Sequence, residues 1–390
     1  MKILVLGIDG YIGWPLALDL LSKNHEIAGV DNFSRRYRVE RVGSTSLTPI
    51  SNRFERTEIL KSNKLFAGDT IVDINLEDGP NEIGYILNDF KPDTIIHLAE
   101  QPSAPWSMKD PYCATATQSG NVIGTLNLLW AMRENAPEAH LIKLGTMGEY
   151  GTPDCDIPEG EIPIAPCIYS DISPWRPCPM SGLPFPRSAG SIYHLSKVHD
   201  THNIIFACKT WGLRSTDIMQ GVVFGLMSTD SRYITRFDYD QYFGTAINRF
   251  CASVLIGHPI TIYGKGYQTR GFLPLKDSIQ CINIILNNPP ELGEYRTFNQ
   301  FENIYRINDL ASEVHLAARK LGLDPSVKFL TNPRDELDEH YYNPAHKKLF
   351  DLGYIPTTDI KSEIHNLIKS LIPFKERVCR AAILPTTTWR

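Results

Sequence analysis

The fold of this 390-residue chain is decided by its first stretch, KILVLGIDGYIG, residues 2–13. The short apolar run KILVL predicts a buried strand. Gly7, Gly10 and Gly13 follow it directly and open the helical pattern YIGWPLALDLLSKN at 11–24. Glycines in this context let the backbone turn tightly and approach a pyrophosphate, whose charge then faces the N-terminus of the helix. The stretch therefore predicts the first strand, turn and helix of a dinucleotide-binding sheet.

Strand-like and helical patterns alternate through the rest of the first half. The further predicted strands lie at 26–31, 64–69, 93–99, 140–146 and the start of 212–225, and the helical patterns between them include 81–90 and 120–135. This alternation predicts an α/β fold with a Rossmann-type doubly wound parallel sheet over residues 1–220. In such sheets, ligands bind outside the carboxyl ends of the strands.

The second half of the chain has a looser pattern. Short strands mix there with helical patterns at 275–287 and 307–322. We expect residues 221–390 to form a smaller mixed α/β domain that binds the substrate and is partly interleaved with the first. Between the two, residues 151–190 hold nine of the 27 prolines and no regular pattern, which is typical of a long binding loop or lid. The alternative is a disordered insertion, but the aromatic and apolar residues of this loop favour an ordered cover.

Composition narrows the class of protein further. The formal net charge of −5 gives no electrostatic footprint for nucleic acid, and no apolar run approaches the ~20 residues that span a bilayer. Eight cysteines occur without a CxxC pair, which favours reduced thiols in a cytoplasmic protein. A local disulfide among Cys155, Cys167 and Cys178 is the less favoured alternative.

The residue that ends the second predicted strand bears on the choice of nucleotide. Asp31 stands 18 residues after Gly13, where a carboxylate binds the diol of a ribose. A carboxylate there favours NAD over NADP, because it repels a 2′-phosphate. Arg35 and Arg36 oppose this reading, since either guanidinium is able to pair with that phosphate.

A second constellation is typical of hydride transfer. Tyr193 and Lys197, in YHLSK, share one helix face at i and i+4. A nearby ammonium and a cationic nicotinamide both favour the phenolate, so the pattern predicts a tyrosine that takes a proton from a substrate hydroxyl. Thr146, at the end of the strand 140–146, is placed to hydrogen-bond the same oxygen.

Taken together, these motifs resemble those of extended short-chain dehydrogenase/reductases that modify nucleotide sugars. The resemblance spans positions 9 to 343 and is carried by DGYIGWPLAL, LAEQPSAPWSM, GNVIGTLNLL, KLGTMGEYGTP, YHLSKVHDTHNI, QGVVFG, RFDYDQYFGTAINRF, YGKGYQTRGF and NPRDELDEHYYN. It is closer to members that convert UDP-glucose and sulfite, with bound NAD, into a sulfonated UDP-sugar. It implies oxidation at C4, loss of water across C5–C6, addition of sulfite at C6 and re-reduction at C4, as well as a homodimer.

The nucleotide-sugar 4,6-dehydratases of this family carry Thr-Asp-Glu at the same strand end, with the Asp as acid and the Glu as base. Here Met147 and Gly148 stand in those two places. Glu149 and His194 are the remaining candidates for the proton transfers of the elimination, and Met147 is expected to shape the pocket. A buried, hydrogen-bonded structural histidine is the alternative for His194.

The resemblance also implies contacts to the cofactor and to the substrate. The cofactor-binding set is Gly7, Asp9, Gly10, Tyr11, Ile12, Gly13, Asp31, Asn32, Arg35, Arg36, Asp69, Leu98, Glu100, Asn121, Tyr193 and Lys197. The substrate-binding set is Gln101, Thr146, Gln220, Thr245, Asn248, Arg249, Gln268 and Arg270, the last matching the family's diphosphate-binding arginine. No metal site is expected, because His194, His199 and His202 do not repeat one ligand face.

Two other functions fit the same motifs. A UDP-sugar 4-epimerase shares the hydride step but lacks the elimination. A non-catalytic NAD-binding scaffold shares the fold, although such proteins often lose the Tyr or the Lys that are both present here.

Overall fold

The computed structural model describes residues 1–162, 183–334, 337 and 339–388. Its strands are β1 Lys2–Leu6, β2 Glu26–Val30, β3 Thr94–His97, β4 His140–Thr146, β5 Glu161–Ile162, β6 Leu183–Pro184, β7 Arg214–Gln220, β8 Val222–Phe224, β9 Ile260–Tyr263, β10 Thr269–Pro274, β11 Tyr295–Gln300, β12 Asn303–Arg306 and β13 Val327–Leu330. Its α-helices are α1 Gly13–Ser22, α2 Ser34–Arg41, α3 Arg53–Lys61, α4 Pro80–Phe90, α5 Ala104–Ser107, α6 Pro111–Gln118, α7 Gly124–Asn135, α8 Ile192–Trp211, α9 Ala246–Leu255, α10 Leu275–Leu286, α11 Ile307–Lys320, α12 Lys347–Asp351 and α13 Ile360–Leu371.

Six parallel strands form the central sheet, in the order β11-β7-β4-β3-β1-β2. The register places Leu6 beside Val30 and His97, and Thr146 beside Gln220. The carboxyl ends of these strands therefore meet along one edge of the sheet. The predicted doubly wound parallel sheet is confirmed.

Helices cover both faces of this sheet, as its apolar strands require. One core joins the sheet to α1 and α10, with Leu20 and Ile282 fully buried. The core on the opposite face joins the sheet to α4, α7 and α8, with Leu87 and Leu128 fully buried. No helix among the described residues is long and apolar enough to cross a membrane.

A third core lies apart from the central sheet and organises the second half of the chain. It is built from α9, α11 and α13 beside the sheet β12-β10-β8 and the pair β13-β9. The two halves exchange elements: α10 and β11 come from beyond residue 220 but complete the first sheet and its core, while Leu47 packs in the third core. Residue 220 therefore divides the chain into two halves in sequence, but the cores on either side each contain residues from both halves.

One predicted strand is wrong. Residues 64–69 form no strand, and the segment touches β2 only through the isolated bridge of Ile27 with Phe66. Gly68 has φ +87° and Asp69 is exposed, so the chain turns away from the sheet there. It returns at Val72, which bridges to Val30.

The proline-rich loop is described only in part. Residues 163–182, and with them Cys167 and Cys178, lie outside the described residues. The flanking β5 and β6 pair with each other in an antiparallel two-stranded sheet. Cys155 is exposed and is a free thiol.

Candidate active site

A cavity of about 860 Å³ opens at the carboxyl edge of the central sheet, between the sheet and the second half of the chain. Its walls run from the glycine-rich turn after β1, past the ends of β3, β4 and β7, to Arg270 on β10 and Arg334. The sequence-predicted residues that line it are Gly7, Gly10, Tyr11, Ile12, Gly13, Asp31, Asn32, Arg35, Leu98, Glu100, Gln101, Thr146, Met147, Tyr193, His194, Lys197, Gln220, Thr245, Arg249, Gln268 and Arg270.

The glycine-rich turn fits a dinucleotide for a steric reason. Gly7 has φ +84°, and a Cβ on it would lie 2.7 Å from the Leu98 carbonyl. A Cβ on Gly13 would lie 2.1 Å from the Gly7 carbonyl oxygen. Helix α1 has no side-chain cap and no acidic residue in its first turn, so no side chain competes with an anion at its N-terminus. The turn thus supplies the close backbone approach that a pyrophosphate requires.

Asp31 follows β2 and is held in place by the backbone. Its carboxylate accepts hydrogen bonds from the N–H of Asp9, at 2.8 Å, and from the N–H of Phe33, at 2.7 Å. Burial and the neighbouring Asp9 raise the pKa of Asp31 to about 7. Asp31 and Asn32 line the cavity together, where the sequence predicts the ribose contact.

Four predicted cofactor contacts lie elsewhere. The Asp9 carboxylate is buried against Arg36 and Arg56, each at 2.7 Å, and neither Asp9 nor Arg36 lines the cavity. Asp69 is exposed outside the lining, and Ile74, Leu76 and Glu77 take that part of the wall instead. Asn121 is fully buried behind the wall, in a π-helical turn at Ser119–Ile123. Its amide bonds the backbone of Gln101 and the hydroxyl of Ser196, so it holds the wall in position.

The tyrosine–lysine pair lies on the first turns of α8, facing the end of β4. The Lys197 ammonium donates to the Glu100 carboxylate and to the Leu144 carbonyl, the latter at 2.7 Å. The Thr146 hydroxyl hydrogen-bonds the Tyr193 phenol. Burial, followed by the charges of Glu100 and Glu149, raises the pKa of Tyr193. The Lys197 ammonium is paired with Glu100, and the cationic nicotinamide is the second group that is expected to favour the phenolate.

His194 occupies the space that a side chain at position 148 would need. A Cβ on Gly148 would lie 2.3 Å from the His194 Nε2. The other ring nitrogen, Nδ1, is 3.1 Å from the Ser191 hydroxyl. Burial, followed by the charges of Arg334 and Arg270, lowers the pKa of His194 to about 3, so the imidazole is neutral at pH 7. Met147 lines the same wall and packs with Tyr150 and Phe185.

Glu149 points away from the cavity into a buried polar cluster. Its carboxylate pairs with Arg187, accepts a hydrogen bond from Thr201 at 3.2 Å and lies 3.9 Å from the Lys143 ammonium. It is fully buried and does not line the cavity. The structure thus brings His194, and not Glu149, to the reacting region.

Three arginines gather at the far end of the cavity from the glycine-rich turn. Arg249 lies over the ring of Tyr263, Arg270 hydrogen-bonds His340, and Arg334 lies near both arginines. Burial and then the other two cations lower the pKa of Arg334 to about 10. Such a cluster of buried and partly buried cations favours an anion with several oxygen atoms. Arg334 is not among the predicted site residues, although the motif NPRDELDEHYYN contains it.

Of the other predicted substrate-binding residues, Gln101 and Gln220 line the cavity and Asn248 lies behind it. The Gln101 amide donates to Thr117 at 2.9 Å, and the Gln220 amide donates to Ser278 at 2.9 Å, so both lie fixed in the wall. Asn248 does not line the cavity, and its side chain instead accepts from the Gly225 N–H at 3.0 Å. Among the described residues, no group of three or more histidine, cysteine, aspartate or glutamate side chains is arranged to hold a metal ion.

Comparison with known proteins agrees with this geometry. Residues 3–299 match the NAD dependent epimerase/dehydratase family, and the chain belongs to that family; its cofactor is NAD. Along its whole length the chain is 45% identical to a chloroplastic UDP-sulfoquinovose synthase of Spinacia oleracea, of which it covers 79%. It is 43% identical, again over the full chain, to a UDP-sulfoquinovose synthase of Sulfolobus acidocaldarius, of which it covers 98%.

Among solved structures, the chain is similar to the UDP-glucuronic acid 4-epimerase of Bacillus cereus in complex with UDP-glucuronic acid and NAD. The TM-score is 0.68 and the identity 20%, covering 95% of this chain and 99% of the epimerase. At that identity the likeness establishes the fold alone.

Proposed function

We propose that this enzyme is a UDP-sulfoquinovose synthase, which makes UDP-sulfoquinovose from UDP-glucose and sulfite or a sulfite donor with bound NAD. The observation that carries the proposal is the match, over the whole chain, to two relatives of that name from a plant and an archaeon. The geometry agrees with it. Met147 and Gly148 stand where the dehydratases of the family carry their acid and base, and the His194 ring fills the space that a side chain at position 148 would need.

The hydride step is assigned to the tyrosine–lysine pair. NAD supplies, when bound, an acceptor that takes a hydride from the sugar and later returns it. Tyr193 takes the proton of the C4 hydroxyl and gives it back in the last step, and the Thr146 hydroxyl orients the same oxygen. Lys197, held by Glu100 and the Leu144 carbonyl, fixes the positive charge beside this group.

The elimination is assigned to His194. Its neutral imidazole takes the C5 proton, which the 4-keto group has made acidic. The electron pair of that C–H bond forms the C5–C6 double bond, and the C6 hydroxyl leaves as water with the proton that the imidazole carried. The sulfur lone pair of sulfite then bonds to C6, and a proton returns to C5.

Substrate binding also adjusts this histidine. Burial and the charges of Arg334 and Arg270 keep the pKa of His194 low. A diphosphate between these arginines compensates their charge and so raises the pKa of His194, while burial, the larger cause, still holds it below its ordinary value. The base thus becomes stronger when the nucleotide sugar is in place.

The experiment that tests the function is incubation of the full chain with UDP-glucose and sulfite, followed by mass spectrometry of the nucleotide sugars. UDP-sulfoquinovose is the expected product, and its absence from NAD-loaded protein would refute the proposal. The same incubation without sulfite examines the nearest alternative, since a 4-epimerase would yield UDP-galactose.

We further propose that the enzyme is a homodimer in the cytoplasm. The support for the dimer is a pair of exposed aromatic side chains, Trp130 on α7 and Phe206 on α8, whose rings both pack against that of Trp211. Exposed apolar groups of this kind mark interfaces between proteins. Light scattering after gel filtration should give twice the 44.0 kDa mass of the chain. Replacing Trp130 and Phe206 by glutamate should reduce the mass to that of one chain.

A further inference from the structure

The residues that follow Asp31 present three guanidiniums close to the predicted ribose site. Arg35, Arg36 and Arg38 all belong to α2, Ser34–Arg41. An arginine at this place is the usual partner of the 2′-phosphate of NADP. The chain nevertheless belongs to a family named for NAD. The contacts of the three arginines explain how one chain holds both features.

Arg36 is turned away from the nucleotide. Its Nε and one terminal nitrogen donate to the two carboxylate oxygens of Asp9, both at 2.7 Å. The same terminal nitrogen donates to the Ser51 carbonyl at 2.8 Å. Asp9 is buried, and Arg36 does not line the cavity. This guanidinium is therefore held by Asp9 and Ser51, outside the lining of the cavity.

Arg35 does line the cavity, but a carboxylate from the second half of the chain holds it. Its Nε and one terminal nitrogen donate to the same oxygen of Asp238, at 3.0 and 2.8 Å. The guanidinium also lies over the ring of Phe243, 4.1 Å from its centroid. Asp238 is buried, and its other oxygen is 3.4 Å from Arg236.

Arg38 differs from both. It lines the cavity and lies over the ring of Trp106, 5.0 Å from its centroid. Burial and the charge of Arg35 lower the pKa of Arg38, while Glu77 acts in the opposite direction. Arg35 and Arg38 are thus the two cations of α2 that face the nucleotide, and of these Arg35 is the one that a buried carboxylate holds.

We propose that Asp238 determines the specificity for the cofactor: by holding Arg35, it denies a 2′-phosphate its cationic partner and keeps the site selective for NAD over NADP. Selectivity is a difference between two affinities, and here two carboxylates contribute to it in different ways. Asp31 repels the extra phosphate, and Asp238 removes the group that would attract it. The proposal concerns nucleotide binding and does not depend on the sugar or the sulfur donor.

The test measures which nucleotide the full-length protein holds, without any turnover. The protein is equilibrated with equal concentrations of NAD and NADP and passed through gel filtration, and the nucleotide released by acid is quantified by chromatography. Asp238→Asn should raise the ratio of NADP to NAD by about tenfold or more, which is the scale of one charge-assisted hydrogen bond to phosphate. Asp230→Asn is the matched control, because it removes an exposed carboxylate from the same segment and should leave the ratio unchanged.

Two double variants identify the cation responsible. Arg35→Gln combined with Asp238→Asn should lose the gain in NADP binding, whereas Arg38→Gln in the same background should keep it. The proposal is overturned if folded Asp238→Asn keeps the original ratio, or if Arg38 carries the gain.

A separate single variant covers the case in which Asp238→Asn does not fold. Asp31→Asn alone should change the ratio by less than about tenfold, because Arg35 is still held by Asp238. If this variant binds NADP as well as NAD, holding Arg35 has no part in the selectivity and the proposal fails.

Discussion

Replacing Gly148 by alanine should disable the elimination and leave the hydride step working. The new Cβ would lie 2.3 Å from Nε2, 2.5 Å from Cδ2 and 3.0 Å from Cε1 of the His194 ring. Ordinary contacts between such atoms begin near 3.4 Å, so the ring must move by about 1 Å. Overpacking of this kind costs about 1–3 kcal/mol of stability. A 1 Å displacement of a reacting group costs about 10²-fold in rate.

Two signals from one incubation separate the steps. With UDP-glucose in D₂O and no sulfite, the entry of deuterium at C5 reports proton removal, and NADH absorbance reports the hydride step. We expect Gly148→Ala to slow the exchange at C5 by about 10²-fold while NADH still forms. Gly190→Ala is the matched control, because Gly190 lines the same cavity and a Cβ there meets nothing within 4 Å.

The double variant Gly148→Ala with His194→Ala adds a further check. It removes the clash, so it should recover the melting temperature but not the exchange at C5. A folded Gly148→Ala enzyme with the full exchange rate would show that the position of His194 does not matter, and the assignment of His194 to the elimination would be abandoned.

Three further changes have defined outcomes. Arg334→Ala should raise the KM for UDP-glucose by about 10- to 150-fold, since a hydrogen bond to a charged group contributes about 1.5–3 kcal/mol, and an unchanged KM would remove Arg334 from the diphosphate site. Glu149→Gln should lower the free energy of unfolding by about 3–5 kcal/mol, because Arg187 loses its buried carboxylate partner, whereas Lys143 keeps Asp217 at 3.7 Å. Folded Glu149→Gln should keep its exchange at C5, and loss of exchange alone would restore Glu149 to catalysis. Burial, then two nearby arginines, lower the pKa of His140 to about 3. Between about pH 6.5 and pH 3 the unfolded chain therefore binds more protons than the folded one, and the free energy of unfolding decreases as the pH is lowered. His140→Gln should therefore flatten this fall by up to about 1.36 kcal/mol per pH unit in urea unfolding series, and an unchanged slope would contradict the assignment.

The parts of the site that the sequence predicts are those fixed by local geometry. Gly7 and Gly13 are needed by a turn within one strand–helix unit, and Tyr193 and Lys197 share a helix face. Residues directly after parallel strands, such as Asp31 and Thr146, reach the cavity because every strand ends at the same edge of the sheet. These predictions depend only on the spacing of residues within one helix or strand, and they require no knowledge of which other elements pack against it.

The errors concern side chains whose direction depends on distant partners. Asp9 stands in the glycine-rich turn, but Arg56 on α3 draws its carboxylate into the protein. Glu149 stands at the mouth of β4, but Arg187 holds it behind the wall. Neither the pairing of Asp9 with Arg56 nor that of Glu149 with Arg187 can be predicted from a spacing in the sequence. The wrongly predicted strand at 64–69 has a different cause. That part of the chain meets β2 only through isolated bridges at Phe66 and Val72, which leave no strand pattern in the sequence.

The position of β11 at the edge of the first sheet has a consequence for folding. This strand pairs with β7 along Tyr295–Gln300, although α9 and four other elements separate the two in the chain. During synthesis, one edge of β7 therefore stays unpaired until about 80 further residues have been made, and unpaired strand edges tend to pair with other chains. A fragment ending at residue 220 would keep that edge permanently open and should aggregate. The nucleotide-binding half is consequently a single unit in the folded protein, but it cannot fold before β11 is synthesised and cannot be expressed alone as residues 1–220.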